Sequence, residues 1–268
     1  MTFRELHHGD KPLVLPNAWD VPSALAFLDA GFEAIGTTSF GVASSLGRPD
    51  GGRSTRDANL SLACGLSQLS CYISMDIEDG YADEPDRVAD YVARLAEFNV
   101  AGINIEDSSA EQLISPEAHA AKVAAIKHRC PGLFINARVD TYWLGEDATV
   151  EATVERAARY VAAGADGVFV PSASEPSVLR ELTESIPVPL NVLVIPALSL
   201  GELAELGVRR VSTGSLPYRA AIRAAAAVAA AVRDGQAVPA ATPYNDLQAR
   251  LVRYQRTAGR LDSQPSRN

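Results

Sequence analysis

Cysteine is scarce in this chain. Its three residues, Cys64, Cys71 and Cys130, are too few for a disulfide framework and lack the spacing of zinc ligands. Long apolar runs are missing too. None reaches the ~18 residues a membrane helix needs, and the nearest, Ala220 to Val232, is alanine-rich and broken by Arg223. The opening MTFRELHHGDK holds acids and no apolar stretch, so a secretory signal is not expected. Basic residues are in deficit, with 24 Lys and Arg against 33 Asp and Glu for a net charge of −9. That balance argues against nucleic acid or anionic membrane as partners, yet leaves room for a local cationic pocket suited to a small acid. The expectation is a soluble, reduced, cytoplasmic protein. Apolar residues are plentiful, at 47% against 21% charged, which excludes wholesale disorder. Its 268 residues fall short of two domains at ~150 each, and several barrel folds use that length as one.

From Leu13 onward, short β-rich runs alternate with longer helical patterns, the signature of parallel βα units. The runs are Leu13–Asn17, Ala34–Ser39, Tyr72–Glu78, Gly102–Asp107, Phe134–Asp140, Gly167–Ser172, Leu190–Ile195 and Arg210–Ser215. Apolar residues between them recur at three- and four-residue spacing. Pro85 after Glu84, Ser115-Pro116-Glu117 and Ser199 before Gly201-Glu202 read as helix starts. Gly31, Gly164 and Gly207 read as helix ends. Eight units in ~250 residues predict an α/β fold of the (β/α)₈ TIM-barrel type. A doubly wound open sheet usually shows a glycine-rich phosphate turn after its first strand, and PNAWDVPSA is not one.

Chemistry in a barrel gathers where the strands end. One run ends Met75-Asp76-Ile77-Glu78-Asp79-Gly80, the next Asn104-Ile105-Glu106-Asp107. Period-two alternation puts Asp76 with Glu78, and Asn104 with Glu106, on shared sides. Acids aimed into one barrel mouth repel unless a cation sits among them. Oxygen ligands without His or Cys favour a hard ion, Mg²⁺ with retained waters, with Mn²⁺ as its substitute. The bland alternative is that such acids cap the following helices, Asp79 and Asp107 above all. Arg138, among apolar neighbours in Asn136-Ala137-Arg138-Val139-Asp140, calls for an anionic partner. That partner is either a substrate carboxylate or developing oxyanion, or a structural acid such as Asp140 or Glu106. Thr37-Thr38-Ser39-Phe40-Gly41 offers hydroxyls and successive N–H groups to an anion. His7, His8, His119 and His128 fall on helices or the leader, and the three cysteines read as packing residues.

Five segments then act together. LPNAWD at 15–20, AIGTTSFGVASSLGRPDGG at 34–52, MDIEDGYAD at 75–83, NIEDS at 104–108 and NARVDTYWLG at 136–145 resemble the isocitrate lyase and phosphoenolpyruvate mutase superfamily. The resemblance covers roughly Phe3 to Gln236. It implies a (β/α)₈ barrel whose dimers exchange their eighth helices, commonly as tetramers, and which binds Mg²⁺ and a small 2-oxo acid or its enolate. By motif, Asp76 matches the direct metal ligand, and Asp50, Glu78 and Glu106 match the acids that hold the metal's waters. Thr38, Ser39 and Phe40 match the turn that binds the substrate carboxylate, with Ser39 where glycine is usual. Arg138 matches the arginine on the substrate's oxygens, and Asn191 resembles a contact to the distal part of larger substrates.

The departures narrow the activity. Isocitrate and methylisocitrate lyases carry a Lys-Lys/Arg-Cys-Gly-His loop after the fourth strand, where this chain has SSAEQLISPEAHA. The phosphonopyruvate branch uses a lysine and an asparagine on that loop and a histidine after the sixth strand, where this chain has Val170-Pro171-Ser172. What remains is enolate formation as a carbon–carbon bond breaks. The expected function is a Mg²⁺-dependent carbon–carbon lyase or decarboxylase on a small 2-oxo or 2-hydroxy dicarboxylate such as oxaloacetate. The alternatives are a phosphonopyruvate hydrolase or mutase with a rewired loop, and a catalytically weak barrel that binds 2-oxo acids. The division expected is a barrel over 1–236 and a helical tail over 237–268 at a subunit interface. The basis is that Tyr218–Arg233 forms a smooth alanine-rich helix and that Asp246–Leu261 has no obvious partner in a monomer. The assembly expected is a homodimer or homotetramer.

Overall fold

Pro16 divides the first strand. In the computed structural model, which describes residues 1–261, β1 (Leu13–Leu15) pairs in parallel with the last strand, Arg210–Ser212. β2 (Asn17–Ala18) pairs with β3 (Ala34–Thr37) on the other side. Proline donates no hydrogen bond to a ladder, but its carbonyl still accepts from Gly36 N–H at 2.8 Å. One short run thus bridges both ends of the sheet and closes it.

The remaining strands are β4 (Tyr72–Asp76), β5 (Val100–Glu106), β6 (Ser108–Ser109), β7 (Gln112–Leu113), β8 (Phe134–Arg138), β9 (Gly167–Phe169), β10 (Leu190–Leu193) and β11 (Arg210–Ser212). The sheet order is β1-β11-β10-β9-β8-β5-β4-β3-β2, with β6 and β7 a separate antiparallel hairpin. With β1 and β2 as one interrupted strand, this is the expected eight-stranded parallel barrel. All eight runs form strands, but each stops one to three residues short of its expected C-terminal end, except the first, which gains Ala18. Those residues turn outward into the loops.

Helices α1 (Val21–Asp29), α2 (Ser39–Ser45), α3 (Arg56–Leu66), α4 (Pro85–Ala96) and α5 (Pro116–Arg129) follow the early strands. α6 (Thr141–Leu144), α7 (Val150–Ala162), α8 (Pro176–Ser185), α9 (Leu200–Glu205), α10 (Leu216–Arg233) and α11 (Tyr244–Leu261) complete the chain. Their starts are chemical. Ser115 accepts from Ala118 N–H, Ser199 and Glu202 form a reciprocal capping box, and Pro85 opens α4. Gly31, Gly164 and Gly207 follow helix ends at φ of +87°, +108° and +88°, the left-handed region where a side chain is strained.

Apolar side chains of strands and helices interleave in one main core, from Ile35, Met75 and Ile103 through Val168 to Val192. A smaller cluster of Phe3, Leu15, Ala34 and Phe134 plugs the bottom of the barrel. His7 stacks on Phe134 there, with ring centroids 4.2 Å apart. No helix among the described residues is long and apolar enough to cross a membrane.

α10 stands apart. From Arg219 to Ala227 every residue is exposed, and only Tyr218 and Ala231 are buried. α11 does have a partner in its own chain, contrary to the premise drawn from sequence. Tyr254 Oη donates to the Gly65 carbonyl at 2.8 Å, and Arg250 pairs with Asp29 at 2.5 Å. Residues 262–268 of the expected tail lie outside the described residues.

Candidate active site

The strand ends open into a cavity of about 630 Å³, within the range of small-molecule sites. Asp50, Asp76, Glu78 and Glu106 line it, as do Arg138 and the turn Thr38-Ser39-Phe40. Eight of the nine residues singled out from sequence therefore meet in one place.

Asn191 does not line it. It lies on β10 two residues before Leu193, which does. Alternation puts both on one side of the strand, so Asn191 sits one layer deeper. There it is 1% exposed, and its Nδ2 donates to Ser212 Oγ at 3.0 Å. Asn191 thus bonds Ser212, which does line the cavity, and its expected contact to the distal part of a larger substrate stays an expectation.

Asp76 ends β4 and is held from two sides. Ser39 N–H donates to its Oδ2 at 3.1 Å, and its own N–H donates to Thr37 Oγ1 at 2.8 Å. Thr38 spends its hydroxyl as the cap of α2, accepting from Gly41 N–H. Glu78 arrives by a different route from the expected alternation. Its φ is +50°, and this left-handed turn, rather than the pleat, carries its carboxylate to the cavity. Thr55 Oγ1 and Arg53 N–H donate to that carboxylate.

Arg138 satisfies both structural partners envisaged for it. Its Nη1 lies 2.8 Å from Glu106 Oε2 and its Nε 2.5 Å from Asp140 Oδ1. Burial opposes its charge, but Asp140, Glu106 and Asp76 outweigh that and keep the guanidinium protonated. Its face lies 5.4 Å from the Trp143 ring centroid and 5.9 Å from that of Phe169.

The acids burden one another. Burial raises the carboxyl of Glu106 well above its usual range, against the pull of Arg138, while Asp140, Asp76 and Asp50 push the same way as burial. Burial is also the main cause of upward shifts at Asp50 and Glu78, with Asp76 adding to each. These donors are all oxygens, and their mutual repulsion is what a hard divalent ion relieves. Among the described residues no three His, Cys, Asp or Glu side chains converge to chelate an ion directly.

Several participants escaped the sequence reading. Arg53, in a loop with φ of +63°, pairs with Asp79 and Asp83. Asp79 also accepts from Lys122 through its backbone carbonyl at 2.8 Å. Asp107 accepts from Tyr160 and Arg156 at 2.6 and 2.8 Å. Neither Asp79 nor Asp107 caps a helix, so the bland alternative for them fails. Arg210 is 1% exposed beneath the site and donates from Nη2 to Asn104 Oδ1 at 3.0 Å. Burial brings its pKa down to about 9, against the pull of Asp76. The only sequence signal for Arg210 was a charge at the start of a short β-rich run.

The β6–β7 hairpin is formed by the stretch that follows the fourth barrel strand. Ala110 and Glu111 turn it at φ of +50° and +60°, and both line the cavity.

The profile of the family described as phosphoenolpyruvate phosphomutase matches residues 3–233. An uncharacterized protein of Mycobacterium tuberculosis is 62% identical over 255 residues, 95% of this chain and 98% of that protein. The oxaloacetate decarboxylase of Pseudomonas fluorescens is 32% identical over 239 residues, 83% of this chain and 81% of that protein. The 2-methylisocitrate lyase of Salmonella typhimurium is 30% identical over 251 residues, 86% of this chain and 83% of that protein. The structure of phosphonopyruvate hydrolase in complex with oxalate and Mg²⁺ superposes with a TM-score of 0.82 at 24% identity, covering 97% of this chain and 99% of that one. At that identity the likeness speaks for the barrel alone. The chain belongs to the phosphoenolpyruvate phosphomutase family.

Proposed function

We propose that this protein is a Mg²⁺-dependent carbon–carbon lyase or decarboxylase acting on a small 2-oxo or 2-hydroxy dicarboxylate through an enolate. One observation carries the reading. The cavity gathers Arg138 and Arg53 with six acids, Asp50, Asp76, Glu78, Asp79, Glu106 and Glu111, yet among the described residues no His, Cys, Lys or Tyr lines it. Such a site has an electron sink, and its only candidates for proton transfer are carboxyls. Decarboxylation of an oxaloacetate-like acid asks for little more, because CO₂ departs without a protein base.

In this reading the Thr38–Phe40 turn holds the substrate carboxylate. Arg138, fixed between Glu106 and Asp140, donates to the oxygen on which negative charge develops. Asp76 would hold Mg²⁺ directly, with Asp50, Glu78 and Glu106 on its waters. When bound, the ion supplies Lewis-acid polarisation of the 2-oxo group. The relatives named oxaloacetate decarboxylase and 2-methylisocitrate lyase support this class of chemistry. Assembly as a homodimer or homotetramer with exchanged α10 helices is part of the proposal.

Turnover of oxaloacetate, 2-methylisocitrate and phosphonopyruvate by the purified protein tests it. CO₂ release from oxaloacetate or retro-aldol cleavage of 2-methylisocitrate is the expected result. Activity confined to phosphonopyruvate would overturn it, and binding without turnover of any of the three would make the protein a binding barrel.

A further inference from the structure

The cavity is divided by charge. Every charged residue lining it lies between Asp50 and Arg138, at the ends of β4, β5 and β8 and on the loops after β3, β4 and β5. The arc formed by the β8–β10 loops contributes Trp143, Leu144, Phe169, Pro171 and Leu193 instead. Past them, around β11, come only Ser212, Gly214 and Ser215.

The two halves meet at Arg138, whose guanidinium lies within 6 Å of both the Trp143 and Phe169 ring centroids, at 5.4 and 5.9 Å. Both rings are therefore within reach of the carbons next to an oxygen held by Arg138. The lining offers no cation for a distal carboxylate. Arg53 is bound to Asp79 and Asp83, and Arg138 is flanked by Glu106 and Asp140. A charged group on the far arc would be desolvated without a partner, which is costly, whereas an alkyl or aryl group gains by leaving water. Trp143 is 53% exposed, a large apolar surface left open at the mouth of a site.

We infer that the substrate carries an uncharged, apolar substituent on C3 of its 2-oxo or 2-hydroxy acid head, lodged against Trp143, Phe169 and Leu193. The inference rests on the 2-oxo acid reading proposed for this site and names its substrate class. For the decarboxylation case the bond between C3 and its carboxylate breaks. Its electron pair passes into the enolate, CO₂ leaves, and a solvent proton returns to C3. The departing carboxylate loses its charge as it leaves, so the absence of a cation on the apolar arc does not oppose the step.

N-substituted oxamates test this, because the carboxylate–carbonyl head stays constant while the group on nitrogen varies. Titration calorimetry with the full-length protein and Mg²⁺ would compare oxamate with its N-methyl, N-propyl, N-benzyl and N-carboxymethyl derivatives. Affinity is expected to rise about fourfold per added methylene, with the N-carboxymethyl compound binding no better than oxamate. Phe169→Ala should bring the ratio of N-propyl to oxamate affinity down towards one. Leu193→Ala serves the same purpose should the first variant fail to fold. A flat series, or tightest binding by the N-carboxymethyl compound, overturns the inference and leaves the reading of the head intact. Failure of both oxamate and oxalate to bind with Mg²⁺ present overturns the 2-oxo acid reading, and the inference with it.

Discussion

The backbone N–H of Asp140 donates to Oδ1 of Asp107 across 2.8 Å, tying the loop after β8 to the end of β5. Asp140 in turn accepts from Arg138 Nε, so Asp107 positions the arginine without touching it. Asp107 is fully buried and faces Arg156. Asp107→Asn leaves Arg156 short of its counter-charge and is expected to cost about 3–5 kcal/mol in a urea melt. A displaced Arg138 should lower kcat by up to about 100-fold. Wild-type stability together with wild-type turnover would show that the tie is idle.

Asp76→Asn tests the metal reading separately from folding. Its carboxylate accepts from Ser39 N–H, and an amide oxygen can accept the same bond, so the fold should persist by circular dichroism. Binding of oxamate or oxalate should be lost in the variant, and equally in chelator-treated wild type. Unchanged affinity in thoroughly metal-stripped protein would rule out the cation.

Two buried histidines contribute to the acid limb of stability. Burial is the main cause that lowers both His7 and His119 to about 3. The unfolded chain binds these protons near pH 6.5, and the folded chain resists them until about pH 3. Stability from this source is therefore whole above pH 6.5. It falls with pH below that value, by about 1 kcal/mol per unit for each histidine. His119 has no hydrogen-bond partner for either ring nitrogen among the described residues. His119→Leu is thus expected to be near neutral at pH 8 and to flatten the decline between pH 6 and 4. An unchanged slope in melts across that range would contradict the assignment.

The fold was legible because strand and helix differ in period, and because Ser115, Ser199 and Gly164 mark helix ends chemically. The site was legible where a strand carries its residues straight into the cavity, as with Asp76, Glu106 and Arg138. It was less so where loops decide. Glu78 reaches the cavity through a left-handed residue that alternation does not describe. Arg53 follows Gly51-Gly52 and reads as solvated until Asp79 and Asp83 are seen to hold it. Depth within the barrel is invisible to a period of two, which cannot separate Asn191 from Leu193. Arg210 was hidden for the same reason.

The cysteines should matter to packing alone. Cys64 is exposed, Cys71 and Cys130 are half-buried, and none lines the cavity. Burial pushes the Cys71 thiol up to about 11, away from thiolate chemistry. Replacing all three with alanine is expected to cost about 1–3 kcal/mol of stability and to leave turnover per folded molecule unchanged. Loss of activity in a folded single variant would restore a thiol mechanism.

The exposed eighth helix makes the assembly testable with one residue. Ile222 is 55% and Val232 63% exposed on a helix otherwise rich in alanine, whose small side chains allow another helix to approach closely. In a monomer Ile222 points into water, and Ile222→Glu should shift stability by no more than about 0.5 kcal/mol. In a dimer that exchanges α10, the same glutamate would enter an apolar interface without a partner and drive the subunits apart. Light scattering at micromolar concentration should find the wild type as a dimer or a pair of dimers, and Ile222→Glu as a smaller species with a lower melting temperature. Truncation after Asp234 removes α11 and its contacts to Gly65 and Asp29 while keeping α10. It should loosen a tetramer and leave the dimer. A wild-type monomer, with a variant that melts at the same temperature, would defeat the exchange and leave α10 as a helix facing solvent.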